Sequence, residues 1–355
     1  MKKALLFLSP LLLITFFIIA NLSSNNDNSK TPANSKSLNL ENEINLLIEK
    51  VSTCETLDIA EITQCVLKVL KDETNSATAP VTADRFIKAS AKSQFVARNC
   101  HAVSHLFGRW AWESFADKSY EEGLEGCSFG YYHGLMEQLA KDSFPEMLKL
   151  SKTVCEKAIN MLDLGGCIHG VGHAVGMTGL ETSEYPKMCE QVSELPEMVQ
   201  ECFRGSIMIW SELNPGTKAE DISMLCSNMP DTYVGKCVDG LVYDIQDIDE
   251  LAKIDNYCDA ELSRWSRDCW FSSGGAVAAR IVFSGAANSL LGDVCSNNAI
   301  CLESAGYHLV AGGSQNVKWS NSVCSILSKN SAKICSDGVS RAELQFKDDP
   351  GFLKG

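Results

Sequence analysis

Apolar residues recur along most of this chain at three- and four-residue spacing, the period of a helix with one buried face. Ile207, Ile209, Trp210 and Leu213 form one such stripe, and Val238, Leu241, Val242 and Ile245 form another. No alternating strand pattern of comparable strength is present. Asn214-Pro215-Gly216 reads as a helix stop. Gly126, Gly165-Gly166 and Gly235 read as breaks between paired helices. The pattern predicts an all-α protein.

The ends depart from this pattern. Met1-Lys2-Lys3 precedes an apolar run from Ala4 to Ala20. Residues 1–20 therefore read as a signal peptide or an N-terminal membrane anchor. Either way the basic start stays cytoplasmic and the body lies outside. Residues 21–39 are rich in Asn, Ser and Lys and read as a flexible tether. Residues 40–72 read as a first helical hairpin, 73–84 as a linker, 85–345 as a run of repeats, and 346–355 as a fraying tail.

The cysteines count out the repeats. Sixteen is an even number, as suits an exported chain. In order they form Cys54/Cys65, Cys100/Cys127, Cys155/Cys167, Cys189/Cys202, Cys226/Cys237, Cys258/Cys269, Cys295/Cys301 and Cys324/Cys335. From Cys127 the second members follow at 40, 35, 35, 32, 32 and 34 residues, the period of a helix-turn-helix solenoid. The expectation is such a solenoid, open or curled into a ring, with one disulfide per hairpin. Each bridge would tie the end of one helix to the start of the next. Cys100/Cys127 closes the widest loop, and Cys295/Cys301 is tight enough to swap with a neighbour. Zinc held by Cys and His is the rival reading. The layout is similar to secreted cysteine-rich helical repeats of the tetratricopeptide type, in which a bridge also joins the two helices of each unit. That likeness covers architecture alone, because the Trp-Leu-Gly-Tyr signature is absent.

Glycine or serine recurs three residues after the second cysteine, at Gly130, Gly170, Gly205, Gly240, Ser272, Ser304 and Gly338. Glycine costs a helix about 1 kcal/mol. Close packing of neighbouring backbones is the expected compensation, and close approach of a ligand is the alternative.

The chemistry sits in three copies of one frame. Cys100-His101 to His105 and Cys167 to His173 each carry His-x-x-x-His, and Cys127 to His133 carries Phe129 in the first histidine slot. Histidines four apart share one helix face. Equivalent positions on successive repeats line one surface. His101, His105, His133, His169 and His173 are thus expected to form one site for zinc, copper or iron. Glu113 and Glu137 would complete the shell or orient ligands. His308, one residue off the second slot, could join only in a closed ring. The plain alternative is that these imidazoles cap helices or satisfy carbonyls. Arg204 and Asp239 in later slots read as an ion pair.

Composition narrows the function. The net charge of −14 argues against a nucleic-acid partner, which needs a basic face. There is no nucleophile elbow, phosphate loop or dinucleotide fingerprint. Two readings follow. The first is an exported metalloprotein, as a metal-dependent oxidoreductase, a hydrolase or a carrier. The second is a non-enzymatic stapled scaffold offering an acidic groove to a protein, peptide or glycan, with membrane contact only through the N-terminal segment.

Overall fold

The computed structural model describes residues 33–57, 59–74, 79–115, 124–158, 160–214, 219–245, 248–283, 285–311 and 317–346. The leader at 1–20, residues 21–32 of the tether, residues 75–78 of the linker and the tail from 347 lie outside them. The described residues from Asn42 onward form one compact unit.

Among the described residues the secondary structure is helical, without strands. α1 (Ala33–Ser52) and α2 (Ile59–Asp72) flank a 3-10 turn at Thr53–Thr56. Then come α3 (Ala79–Ser90), α4 (Gln94–Phe115), α5 (Gly130–Asp142), α6 (Phe144–Cys155), α7 (Met161–Gly176), α8 (Tyr185–Cys189) and α9 (Pro196–Leu213). α10 (Ala219–Ser227), α11 (Asp231–Tyr243), α12 (Ile248–Leu251) and α13 (Ile254–Asn256) lead into a π-helical turn at Tyr257–Glu261. α14 (Ser266–Phe283), α15 (Leu290–Cys295), α16 (Ala299–Leu309), α17 (Val317–Cys324) and α18 (Lys329–Phe346) complete the order. No helix among the described residues is long and apolar enough to cross a membrane.

Local chemistry accounts for several boundaries. The Ser143 hydroxyl accepts a hydrogen bond from the Glu146 amide and Pro145 occupies the first turn of α6. Asn298 caps α16 by accepting from the Ile300 and Cys301 amides. α9 stops at Leu213, at the predicted Asn-Pro-Gly signal.

Other boundaries differ from the sequence reading. α1 begins at Ala33, inside the stretch read as a tether, and α3 begins at Ala79, inside the stretch read as a linker. Pro80 lies in the first turn of α3, where its missing N–H costs no hydrogen bond. Gly165-Gly166 and Gly235 lie within α7 and α11 rather than breaking them. A single glycine is a modest penalty that tertiary packing overrides.

All eight cysteine pairs are bridged as their order along the chain predicts: Cys54–Cys65, Cys100–Cys127, Cys155–Cys167, Cys189–Cys202, Cys226–Cys237, Cys258–Cys269, Cys295–Cys301 and Cys324–Cys335. The expected place of the second cysteine, at a helix start, is corrected. Cys65 lies in the middle of α2, and Cys167, Cys202, Cys237 and Cys335 lie equally far inside α7, α9, α11 and α18. Cys269 closes the first turn of α14 rather than opening it. In α7 and α11 the reason is that the helix begins before the glycines that suggest a break, so its first turns precede the cysteine. The bridges therefore fasten the end of one helix to the flank of the next. The two cysteines also differ in enclosure: Cys65 is half-buried, whereas Cys269 is fully buried. Cys100–Cys127 is different again, joining α4 to the turn before α5.

One helix of each hairpin packs on the corresponding helix of the next: α4 on α5, α5 on α7, α7 on α9, then α11, α14, α16 and α18. α14 also touches α4. Backbones in this series nearly meet. A methyl on Gly134 would lie 2.1 Å from the His105 carbonyl oxygen, one on Gly205 would lie 2.1 Å from that of His169, and one on Gly338 would lie 2.0 Å from that of Glu303. The recurrent glycines are thus contact points between neighbouring helices. α5 is the most enclosed, with every residue from Gly130 to Ala140 buried.

Gly205→Ala should therefore force α7 and α9 apart and cost roughly 1–3 kcal/mol, as overpacking does. Gly166 has nothing within 4 Å of an added methyl, so Gly166→Ala should stabilise by up to about 1 kcal/mol. Thermal unfolding followed by circular dichroism separates the two, and equal effects would contradict the packing described.

Candidate metal centre

Three neighbouring helices bring the five predicted histidines together. α4 carries His101 and His105 on one face, α5 carries His133, and α7 carries His169 and His173. Ring centres are 6.0 Å apart for His101–His105, 5.4 Å for His101–His133 and 6.0 Å for His105–His133. They are 5.5 Å apart for His105–His173, 5.9 Å for His133–His173 and 4.8 Å for His169–His173. The second copy of the motif enters the cluster through His133 alone. Phe129, its first-slot residue, has φ 60° and precedes α5, so it is not on the helix.

A carboxylate completes the cluster. Glu137 is one turn beyond His133 on α5 and fully buried. His105 Nε2 donates to its Oε1 at 2.6 Å, and His173 Nδ1 lies 3.3 Å from the same oxygen. Arg109 Nε donates to its Oε2. One ligand atom each from His105, Glu137 and His173 lies within 4.8 Å of the others, a grouping able to hold a metal ion.

Electrostatics keeps these groups in the states a metal needs. Burial pushes Glu137 upward, but His105 beside it, hydrogen bonds from His105 and Arg109 and the nearby His173 hold its carboxyl well below the usual range. Burial lowers the His105 pKa despite Glu137. Burial, with His101, His173 and His105 close by, holds His133 far below its ordinary value. Burial, then His173 and Arg204, does the same to His169. His101 falls to about 4, through crowding by protein and by His105. It nevertheless keeps solvent access, so the cluster meets water on its side. These four imidazoles are therefore neutral at pH 7 and offer lone pairs.

Hydrogen bonding separates the five. His101 Nδ1 donates to the Cys127 carbonyl at 3.0 Å. His169 and His173 face each other through Nε2 atoms 3.1 Å apart. His133 is 1% exposed, and neither of its ring nitrogens has a hydrogen-bond partner. A buried imidazole with both nitrogens unpaired is costly unless something else meets it. Gly170 makes its room: a methyl there would lie 1.8 Å from His133 Cδ2.

The remaining candidates fall elsewhere. Glu113 is solvent-exposed on α4 and acts only as a charge near Arg109. It points off the face shared by His101 and His105, since it lies eight residues beyond His105 and drifts round the helix. His308 lies outside the histidine cluster. Its Nδ1 meets the Ser304 carbonyl at 2.8 Å, and its ring packs against Phe271 and Tyr307. Arg204 Nε pairs with Asp239 at 2.6 Å, as the slots predict. Met136, Tyr131 and Tyr132 are core residues. Sequence reasoning missed Arg109. Its signal was the ladder His101, His105, Arg109 at four-residue steps, read one turn too short.

The buried His133 generates a pH prediction. The unfolded chain protonates this imidazole near 6.5 and the folded protein only far below that. The unfolded state binds the extra proton in between, so stability falls as pH drops below about 6.5. In metal-free protein, His133→Leu should raise the unfolding midpoint, on the order of 1–3 kcal/mol for removing an unpaired buried group, and flatten the profile between about pH 6.5 and 5. Denaturant titrations across that range check it. A lowered midpoint with an unchanged slope would contradict the arrangement.

Comparison of the chain with protein-family models, curated proteins and solved structures gave no match.

Proposed function

We propose that this is an exported helical-repeat metalloprotein whose transition-metal centre is built by His101, His105, His133, His169 and His173 with Glu137. The observation that carries the reading is His133. It is a fully buried imidazole without a partner on either nitrogen, set among three other imidazoles. Nitrogen-rich donor sets suit zinc, copper or iron rather than magnesium or calcium. The solvent access at His101 supplies a route to the ion for water or substrate, as a metal-dependent oxidoreductase or hydrolase requires and a closed storage site does not.

Export is supported by the basic-apolar start and by eight disulfides, which persist in oxidising compartments. The succession of corresponding helices, each packed on the next, supports a repeat array of solenoid type. The scaffold reading has weaker support. Its acidic groove residues are already engaged, Asp239 with Arg204 and Ser272 and Glu303 with Arg341.

Protein purified from an oxidising compartment should contain stoichiometric transition metal by elemental analysis. His133→Ala with His173→Ala should abolish it while all eight bridges survive on non-reducing mass analysis. Substoichiometric metal that the double substitution leaves unchanged would refute the centre. For export, cell fractionation should place the chain outside the cytoplasm, and N-terminal sequencing should show whether residues 1–20 are removed.

A further inference from the structure

The grouping of His105, Glu137 and His173 treats the carboxylate as one ligand among three. The distances divide the roles differently. Two donors each about 2.0–2.1 Å from one ion, at bond angles near 90–110°, lie roughly 2.9–3.4 Å apart. Glu137 Oε1 and His105 Nε2 are 2.6 Å apart, too close for that and right for a charge-assisted hydrogen bond. The other oxygen of Glu137 is taken by Arg109. By contrast the Nε2 atoms of His169 and His173 are 3.1 Å apart, inside the range for two ligands of one ion.

The hydrogen bonds also select which nitrogen is free. A carboxylate or carbonyl oxygen only accepts, so the ring nitrogen facing it must carry the proton. His101 then commits Nδ1–H to the Cys127 carbonyl and His105 commits Nε2–H to Glu137, while His173 Nδ1 lies 3.3 Å from Glu137 without a hydrogen bond. The lone pairs these two bonds leave free are on His101 Nε2 and His105 Nδ1. An imidazole fixed through one nitrogen by a carboxylate or backbone carbonyl is the usual state of a metal ligand. The His105, His133 and His173 ring centres are 5.5, 5.9 and 6.0 Å apart.

We propose that Glu137 is a positioning residue and not a ligand: locked by Arg109, it holds His105 and His173 so that the protein binds the ion by imidazole nitrogen alone. This deepens the metal-centre reading and rests on it. An all-imidazole inner set takes zinc or copper in preference to the oxygen-loving manganese and magnesium.

The test loads metal-free full-length protein with Cu(II) and reads its electron paramagnetic resonance spectrum. Wild type should show couplings from imidazole nitrogens, with any equatorial oxygen exchanging with 17O-enriched water. Glu137→Gln, which keeps an acceptor oxygen, should retain those couplings while copper affinity falls roughly ten- to a hundredfold, as loss of an outer partner does. Arg109→Met should weaken binding in the same direction with the same couplings. An equatorial oxygen in wild type that does not exchange with 17O-enriched water, or a changed number of coupled nitrogens in Glu137→Gln, overturns this assignment while leaving the metal centre standing. The wild-type spectrum decides the matter even if a variant fails to fold. Failure of wild type to bind copper or zinc overturns both the assignment and the reading beneath it.

Discussion

Everything at the centre of this protein depends on how closely neighbouring helices approach. At Gly134 and Gly205 the backbone of one helix lies against a carbonyl of the next, with no space for a methyl group. The carbonyls met there belong to His105 and His169. The contact that draws the helices together is thus made by the same residues whose rings project into the shared interior. Glycine weakens each helix slightly, and that loss is offset by packing and by a geometry in which imidazoles from three helices reach one another. Gly170 extends the principle from backbone to side chain, because the space beside it is filled by the His133 ring.

Such closeness carries an electrostatic cost that the surroundings answer unevenly. A fully buried carboxylate is unfavourable unless paired and hydrogen-bonded. Glu137 has both, with Arg109 on one oxygen and two imidazoles on the other. His101 has the Cys127 carbonyl, delivered by a turn in which Cys127, Ser128 and Phe129 all adopt positive φ. His133 has nothing comparable. One buried polar group is thus satisfied thoroughly while its neighbour one turn away is left unsatisfied.

The disulfides work on a different problem. Glycine-lined contacts bury little apolar area per residue, so the paired helices gain from constraint on the unfolded chain. Most bridges fasten the end of a short helix to the flank of a longer one, as Cys189 at the end of α8 is fastened to Cys202 within α9. They fix the level at which the two helices meet as well as their proximity. Cys100–Cys127 joins segments that both contribute to the histidine cluster. It bears directly on the distance between α4 and the start of α5, and so on where His101 finds its carbonyl partner.

The all-helical class, the eight cysteine pairings and the membership of the histidine cluster were legible in the sequence. Each is a matter of period and register: apolar spacing, cysteines in neighbouring pairs, and imidazoles four residues apart in matching copies of one frame. Helix starts at Ala33 and Ala79, the depth of Cys65 within α2 and the continuity of α7 through Gly165-Gly166 were not, because tertiary packing overrides weak local preferences. Nor were the roles within the cluster. Glu113 and Glu137 look alike along the chain, yet one faces solvent and the other is enclosed by Arg109, His105 and His173. Which oxygen meets which nitrogen depends on how α4, α5 and α7 lie side by side, and only contacts between segments distant along the chain set that arrangement.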